Sequence, residues 1–291
     1  MRNARAKGLV EVKTIRILQN VLFNVFAAAA LAACSPVQFS AKDGQPLTPS
    51  DPAGIDDPSC TPRSVGEIQR LTKLLFVVDA SGSNAGTTAW MGAFIPPTDP
   101  YKQFRYGSLS NFLARYRHKT NFQWSLITFS SDQARAYIHW GSPFSPAFAP
   151  AHTMETALNT FLYERDEGNT PYGAALELAR LAIQNDPDQS SSDNPQYFVI
   201  FISDGFPTDY FDSWDRFDQT SLERHIDTLL NAAPQQVRLS TIFYGQTVIP
   251  QAVELLRYMA NRGGGQFATV QNLPSHFQIE DVIPRQTLPC P

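Results

Sequence analysis

The chain has 291 residues, long enough for one substantial α/β domain together with a targeting segment and a linker. Hydrophobic residues make up 43% and charged residues 17%, which excludes disorder as the state of the bulk of the chain. The formal net charge is −4 and no basic stripe occurs, which argues against nucleic acid as a partner.

Residues 1–33 read as a signal peptide. Arg2, Arg5, Lys7, Lys13 and Arg16 form a basic start with the single acid Glu11, and the run from Val21 to Ala33 is apolar but for Asn24. That run is shorter than the roughly 20 apolar residues a membrane-spanning helix needs. It ends Leu31-Ala32-Ala33-Cys34, which resembles a bacterial lipobox, a small-residue cleavage site directly before a cysteine that receives a diacylglyceryl group. The alternative is an ordinary secretory signal with an unrelated cysteine. In the lipobox reading Cys34 is the acylated first residue of the mature chain. Ser35 rather than Asp follows it, a pattern that resembles sorting to the outer membrane in Gram-negative bacteria. Loss of the basic segment takes the net charge to about −8, so attraction to anionic lipid would not hold the chain on a membrane, and the lipid anchor would.

Residues 34–59 are rich in Pro, Ser, Asp and Gly and read as a flexible tether. A tether of this length has a root-mean-square reach of roughly 25–30 Å. Residues 60–291 are the expected domain. An exported chain meets an oxidising compartment, so a disulfide between Cys60 and Cys290 is expected, the alternative being two free thiols in a reducing cell.

Strand and helix patterns alternate through this domain. Leu74 to Val78 is a short, wholly apolar run, as a central parallel strand buried on both faces requires. Phe104, Leu109, Phe112, Leu113 and Tyr116 recur at helical spacing and predict a helix from Lys102 to Tyr116. Phe122 to Phe129 and Ala134 to Trp140 read as two strands about a tight turn. Helices are predicted over Met154–Tyr163, Pro171–Ile183, Leu222–Ala232 and Gln251–Asn261, with strands at Tyr197–Ile202, Arg238–Tyr244 and Gln266–Val270. A short last helix is predicted at Ser275–Val282. The expected fold class is α/β: a doubly wound, mostly parallel open sheet with helices on both faces and one antiparallel hairpin strand. Gly263-Gly264-Gly265 follows a helix and precedes a strand, the reverse of a phosphate-binding loop, and reads as a helix cap.

The first buried strand ends Asp79-Ala80-Ser81-Gly82-Ser83, and the second ends Ile202-Ser203-Asp204-Gly205. Gly168-Asn169-Thr170-Pro171 opens a helix and offers one more hydroxyl. Open α/β sheets bind ligands at the carboxyl ends of their strands. Two carboxylates and three hydroxyls, with no thiolate or imidazole, suit Mg²⁺, Mn²⁺ or Ca²⁺ and disfavour zinc.

In this order and on these elements, LLFVVDASGSN, GNTPYGAAL and YFVIFISDGFPTD resemble the three parts of the metal-ion-dependent adhesion site of the von Willebrand factor type A (vWA) family. YMANRGGGQFATV resembles the close of such domains, and the likeness runs from about Leu71 to Val282. It implies a Rossmann-like vWA fold holding one divalent cation, Mg²⁺ first among the candidates. Ser81 and Ser83 would bind the metal directly, Thr170 directly or through water, and Asp79 and Asp204 mostly through water. Largely neutral ligands leave such a cation electron-poor, so it seeks a carboxylate from a protein or glycan partner.

Two loops at the same edge exceed the usual 2–6 residues of an α/β connection: Asn84 to Tyr101, and Phe206 to Phe217. Trp90 in the first, and Tyr210, Phe211 and Trp214 in the second, are expected at the ligand-binding rim; the alternative is that they fold inward as a satellite cluster. The five histidines are scattered and no hydrolase or transferase motif occurs, so no enzymatic activity is expected. The expected role is a membrane-anchored binding module, in adhesion or, alternatively, in recruiting other envelope proteins as a scaffold.

Overall fold

The computed structural model describes residues 70–88, 94–192, 194–211, 216–245, 249–271 and 277–283. The signal peptide, the tether, Cys34, Cys60, Cys290, Trp90 and Trp214 lie outside the described residues.

Eight strands and five helices are described: β1 (Thr72–Asp79), β2 (Thr87–Thr88), β3 (Phe94–Ile95), α1 (Gln103–Tyr116), β4 (Phe122–Ser130), β5 (Gln133–Ala136), α2 (Ala151–Tyr163), α3 (Tyr172–Gln184), β6 (Gln196–Ser203), α4 (Gln219–Asn231), β7 (Val237–Tyr244), α5 (Pro250–Arg262) and β8 (Gly264–Val270). The short β2 and β3 pair only with each other; the main sheet has the order β5-β4-β1-β6-β7-β8. All its neighbours run parallel except β4 and β5. Numbered within the main sheet this is the 3-2-1-4-5-6 order of doubly wound folds, and the order reverses between β1 and β6. The expected fold class is the one observed.

Alternation along each central strand explains why helices cover both faces. Leu75, Val77, Ile127, Phe129, Val199 and Phe201 join one apolar cluster with α3, α4 and α5. Leu74, Phe76, Val78, Trp124, Leu126, Ile200 and Ile202 join the other with α1, α2 and the turn at Ile279–Val282. Both faces of β1 are fully buried, which is why its sequence is an unbroken apolar run rather than an alternation.

Two elements differ from expectation. The hairpin strand stops at Ala136, because from Ile138 the chain pairs instead with its own continuation, Ala147 N donating to Ile138 O, after a turn at Gly141 with φ 72°. The last predicted helix is a short 3₁₀ turn at Ile279–Val282. The triple glycine does more than cap α5. Gly264 has φ 64°, and a Cβ on Gly265 would lie 2.2 Å from Leu239 O, so β8 reaches β7 only without side chains there.

Candidate metal centre

Asp79 ends β1 and Asp204 directly follows β6, so both leave the sheet at the switch point between those strands. The structure brings the first and third motifs together. Ser81 Oγ and Ser83 Oγ are 3.0 Å apart, and Ser83 Oγ donates to Asp204 Oδ1 at 2.9 Å. Asp79 is held from two sides, Oδ1 accepting from Ser81 N at 2.8 Å and Oδ2 from Ser203 Oγ at 2.5 Å. Thr170 joins them from the second motif: a Cβ placed on Gly205, the neighbour of Asp204, would stand 3.8 Å from Thr170 Oγ1.

Backbone hydrogen bonds lock these loops to one another. Gly82 N donates to Gly168 O at 3.0 Å, Glu167 N to Ala80 O at 3.0 Å and Thr98 N to Ser83 O at 3.1 Å. Gly168 has φ 72°, and a Cβ there would fall 2.2 Å from Ser131 Oγ, so only glycine lets the Thr170 loop approach this closely. Thr170 is clamped by Thr208, whose hydroxyl accepts from Thr170 N at 3.1 Å and whose N–H donates to Thr170 O at 3.0 Å. Next to it, Asp209 caps α3 from outside the helix, accepting from Tyr172 N at 3.1 Å and Gly173 N at 2.7 Å. A carboxylate at a helix N-terminus satisfies orphan N–H groups and opposes the positive end of the dipole.

Burial pushes the Asp79 carboxyl up to about 7, with the nearby Asp204 charge adding to the effect and hydrogen bonds from Ser203 and Ser81 opposing it. Burial likewise raises Asp204, against the pull of the Thr98 and Ser83 hydroxyls and of the Arg105 charge. Asp204 Oδ2 is buried with no hydrogen-bond partner. An unpaired buried carboxylate oxygen is costly, and its presence beside a second buried carboxylate calls for an external partner. The donor set fits a hard divalent cation: oxygen throughout, two formal negative charges, and hydroxyls close enough to share one ion. Ser81, Ser83, Thr170, Asp79 and Asp204 are the residues that would hold it. Among the described residues no cluster of three or more His, Cys, Asp or Glu offers a metal site of another kind.

The aromatic rim is corrected in part. Tyr210 is only 2% exposed; its hydroxyl meets His225 Nδ1 at 3.0 Å and its ring packs edge-on to Phe217. The apolar ring gains more against the α3–α4 cluster than at the surface, and His225 satisfies its hydroxyl. Phe206 and Phe217 pack partly against the same cluster, and of the described predicted rim residues only Phe211, 44% exposed, faces solvent.

Sequence reasoning missed the supports of the site. Arg105 is fully buried and reaches the Asp79 backbone; Asn84 links Ser81 O to the Tyr244 hydroxyl. A signal for Arg105 existed: it precedes Leu109 by four residues and Phe112 by seven, so it lies on the apolar stripe of its helix. Sequence reasoning also passed over Tyr101, which is 85% exposed with φ 63°.

The six-stranded sheet, parallel but for one edge strand and covered by helices on both faces, makes the fold vWA-like. No protein-family model and no curated protein matches the sequence. Solved structures similar to it include a point variant of the PilB minor pilin from Streptococcus sanguinis (TM-score 0.49, 13% identity, 70% of this chain and 58% of that one). Others are a von Willebrand factor type A protein from Catenulispora acidiphila (0.48, 15%, 70% and 39%) and the vWF domain of the type V pili tip protein Mfa5 from Porphyromonas gingivalis (0.46, 12%, 70% and 92%). The chain thus spans 58% of the minor pilin and 39% of the Catenulispora protein.

Proposed function

We propose that this chain is a lipid-anchored binding module of the bacterial cell envelope that engages a carboxylate of a protein or glycan partner through one divalent cation, Mg²⁺ first among the candidates. The observation that carries the reading is the buried, unpartnered Asp204 Oδ2 beside Asp79, with three hydroxyls converging on the same edge. A cation bound there supplies an electron-poor coordination position for an outside oxygen. The chain's own residues hold that position still: Ser203 and Ser81 fix Asp79, Thr208 fixes Thr170, and Ser83 bridges to Asp204. Asp79 and Asp204 are both committed to the cation, which favours binding over catalysis as the work of the site. Lipidation of Cys34 would place the module at the membrane, and the adhesive role is preferred to a scaffolding one.

The test is capture of partners from envelope extracts by the purified full-length protein, with Mg²⁺ against EDTA, and with Ser81→Ala and Thr170→Ala as controls. Capture is expected in Mg²⁺ alone and lost in both variants. Equal capture in EDTA would sink the metal-dependent reading. Labelling of intact cells separates the two roles, since an inward-facing scaffold stays shielded.

A further inference from the structure

Arg105 contacts the end of β1 and the segment leading to Thr170, two of the three places that carry the proposed metal donors, and the Thr98–Asp99 segment, and it does so with every donor it has. Nε donates to Asp99 Oδ2 at 2.9 Å, and one terminal nitrogen to Asp79 O at 2.6 Å and Asp166 Oδ1 at 3.0 Å. The other donates to Asp166 Oδ2 at 2.8 Å and Asp99 O at 3.3 Å. An arginine has five N–H groups in a fixed fork, so none is left over. The fork ties together the end of β1 at Asp79, the Thr98–Asp99 segment that binds Ser83 O, and the Asp166–Thr170 segment. The Phe161 and Tyr244 rings flank its carbon at 5.7 and 5.9 Å, which leaves the group one orientation.

Its ion pairs are with Asp99 and Asp166, and its effect on Asp204 is only a pull at a distance. Lys102 meets Asp166 Oδ1 at 3.3 Å, so Arg105 and Lys102 formally balance Asp99 and Asp166, and the charges of Asp79 and Asp204 stay unmatched. A guanidinium so close to a cation site repels the cation. If Arg105 acted by charge alone, its loss would tighten metal binding. Geometry predicts the opposite sign.

We infer that Arg105, with Asp166 and Asp99, is a positioning device for the cation: its planar fork sets the spacing of the Asp79–Ser83 loop, the Thr98–Asp99 segment that holds Ser83, and the Asp166–Thr170 loop before metal arrives. This rests on the proposed metal site. Outer partners of metal ligands typically contribute 10–100-fold to affinity.

The test measures Mn²⁺ and Mg²⁺ affinity by calorimetry on the full chain, with Arg105→Lys and Asp166→Asn. Arg105→Lys keeps the charge but loses the fork. The matched control is Asp186→Asn, the same change in a carboxylate that pairs with a buried cation, Lys73, at the other end of β1 at 3.0 Å. Both site variants should bind about tenfold or more weakly, with Asp186→Asn at wild-type affinity. Should Arg105→Lys fail to fold, Asp166→Asn decides. Unchanged or tighter binding in the site variants overturns the inference, and so does an equal loss in Asp186→Asn. Hydrogen exchange in EDTA gives a readout without metal: the amides of Gly82, Thr98 and Glu167 should exchange faster in the site variants only. If the wild type binds neither ion, the metal reading itself fails; if the wild type does bind and these amides exchange at the wild-type rate in the site variants, the inference about Arg105 alone fails.

Discussion

The two ends of β1 bury a cation each and solve the problem differently. At the amino end, fully buried Lys73 donates to Gln123 at 2.7 Å and Asp188 at 2.7 Å, with Asp186 at 3.0 Å and the Phe148 ring at 5.2 Å. Tyr197 completes Asp186 at 2.8 Å, so the group is closed on itself, with half-exposed Asp188 open to water. At the carboxyl end, the Arg105 group is also closed, yet Asp79 and Asp204 stand beside it without a counter-charge of their own. Six residues of strand separate Lys73 from Asp79, about 20 Å. A buried charge cluster therefore does not by itself mark function. What marks it is a remainder: buried negative charge and an unpaired oxygen that the chain leaves for something else.

Breaking the closed end should cost the most. Lys73→Met leaves Asp186 buried without its partner, and loss of one member of a buried ion pair costs about 3–5 kcal/mol. Chemical denaturation should show that drop while metal affinity in the folded protein stays as in the wild type. A changed affinity would mean that the two ends communicate through β1.

The open end should respond with the opposite sign. Asp79→Asn removes buried negative charge beside Asp204 and keeps the shape. The metal-free protein should gain stability, on the order of 2 kcal/mol, while the rise in melting temperature expected of the wild type in Mg²⁺ should be absent. A variant that is less stable in EDTA than the wild type would show that Asp79 is held for structure.

The same charge gives a pH dependence. The Asp79 carboxyl is pushed up to about 7 in the metal-free fold, against about 3.9 in an unfolded chain. Between those values the folded state holds a proton that the unfolded state lacks. Stability in EDTA therefore falls as pH rises through this window and recovers as pH drops. Cation affinity runs the other way, because binding expels the proton. Denaturation in EDTA at several pH values from 4 to 8, compared with Asp79→Asn, isolates the contribution; parallel curves for the two proteins would refute it.

The fold was legible because both of its periods are strong. Unbroken apolar runs such as Leu74 to Val78 could only be strands covered on both sides, and the helical stripes between them were long. The residues of the candidate metal site were legible because they sit in short motifs at the ends of strands and at the start of a helix. The supports were not. Arg105 finds Asp166 across 61 positions, and Asp209 caps a helix that begins 37 positions earlier, distances over which no local pattern operates. Tyr210 was misplaced for a related reason: an aromatic in a polar loop looks like a surface anchor until His225, fifteen residues on, supplies its hydroxyl with a partner.

The smallest effect expected concerns the backbone at the rim of the open end. Tyr101 and Lys102 both adopt left-handed conformations, with φ 63° and 56°. Lys102 has a structural return for this: its ammonium reaches Glu164 O at 2.5 Å and Asp166 at 3.3 Å. The Tyr101 ring is 85% exposed and gains little from the fold. A left-handed residue with a side chain costs roughly 1–2 kcal/mol, which glycine avoids while adding about 0.5–1 kcal/mol of chain entropy to the unfolded state. Tyr101→Gly should therefore stabilise the metal-free protein slightly, by about 0.5–1 kcal/mol, with metal affinity unchanged. A larger stabilisation would mean that the Asp99 cap, which accepts from Phe104 N at 2.8 Å and Arg105 N at 3.1 Å, is itself strained by the turn. Any destabilisation would mean that the tyrosine ring packs on the fold in solution, and that the left-handed turn at Tyr101 is compensated locally.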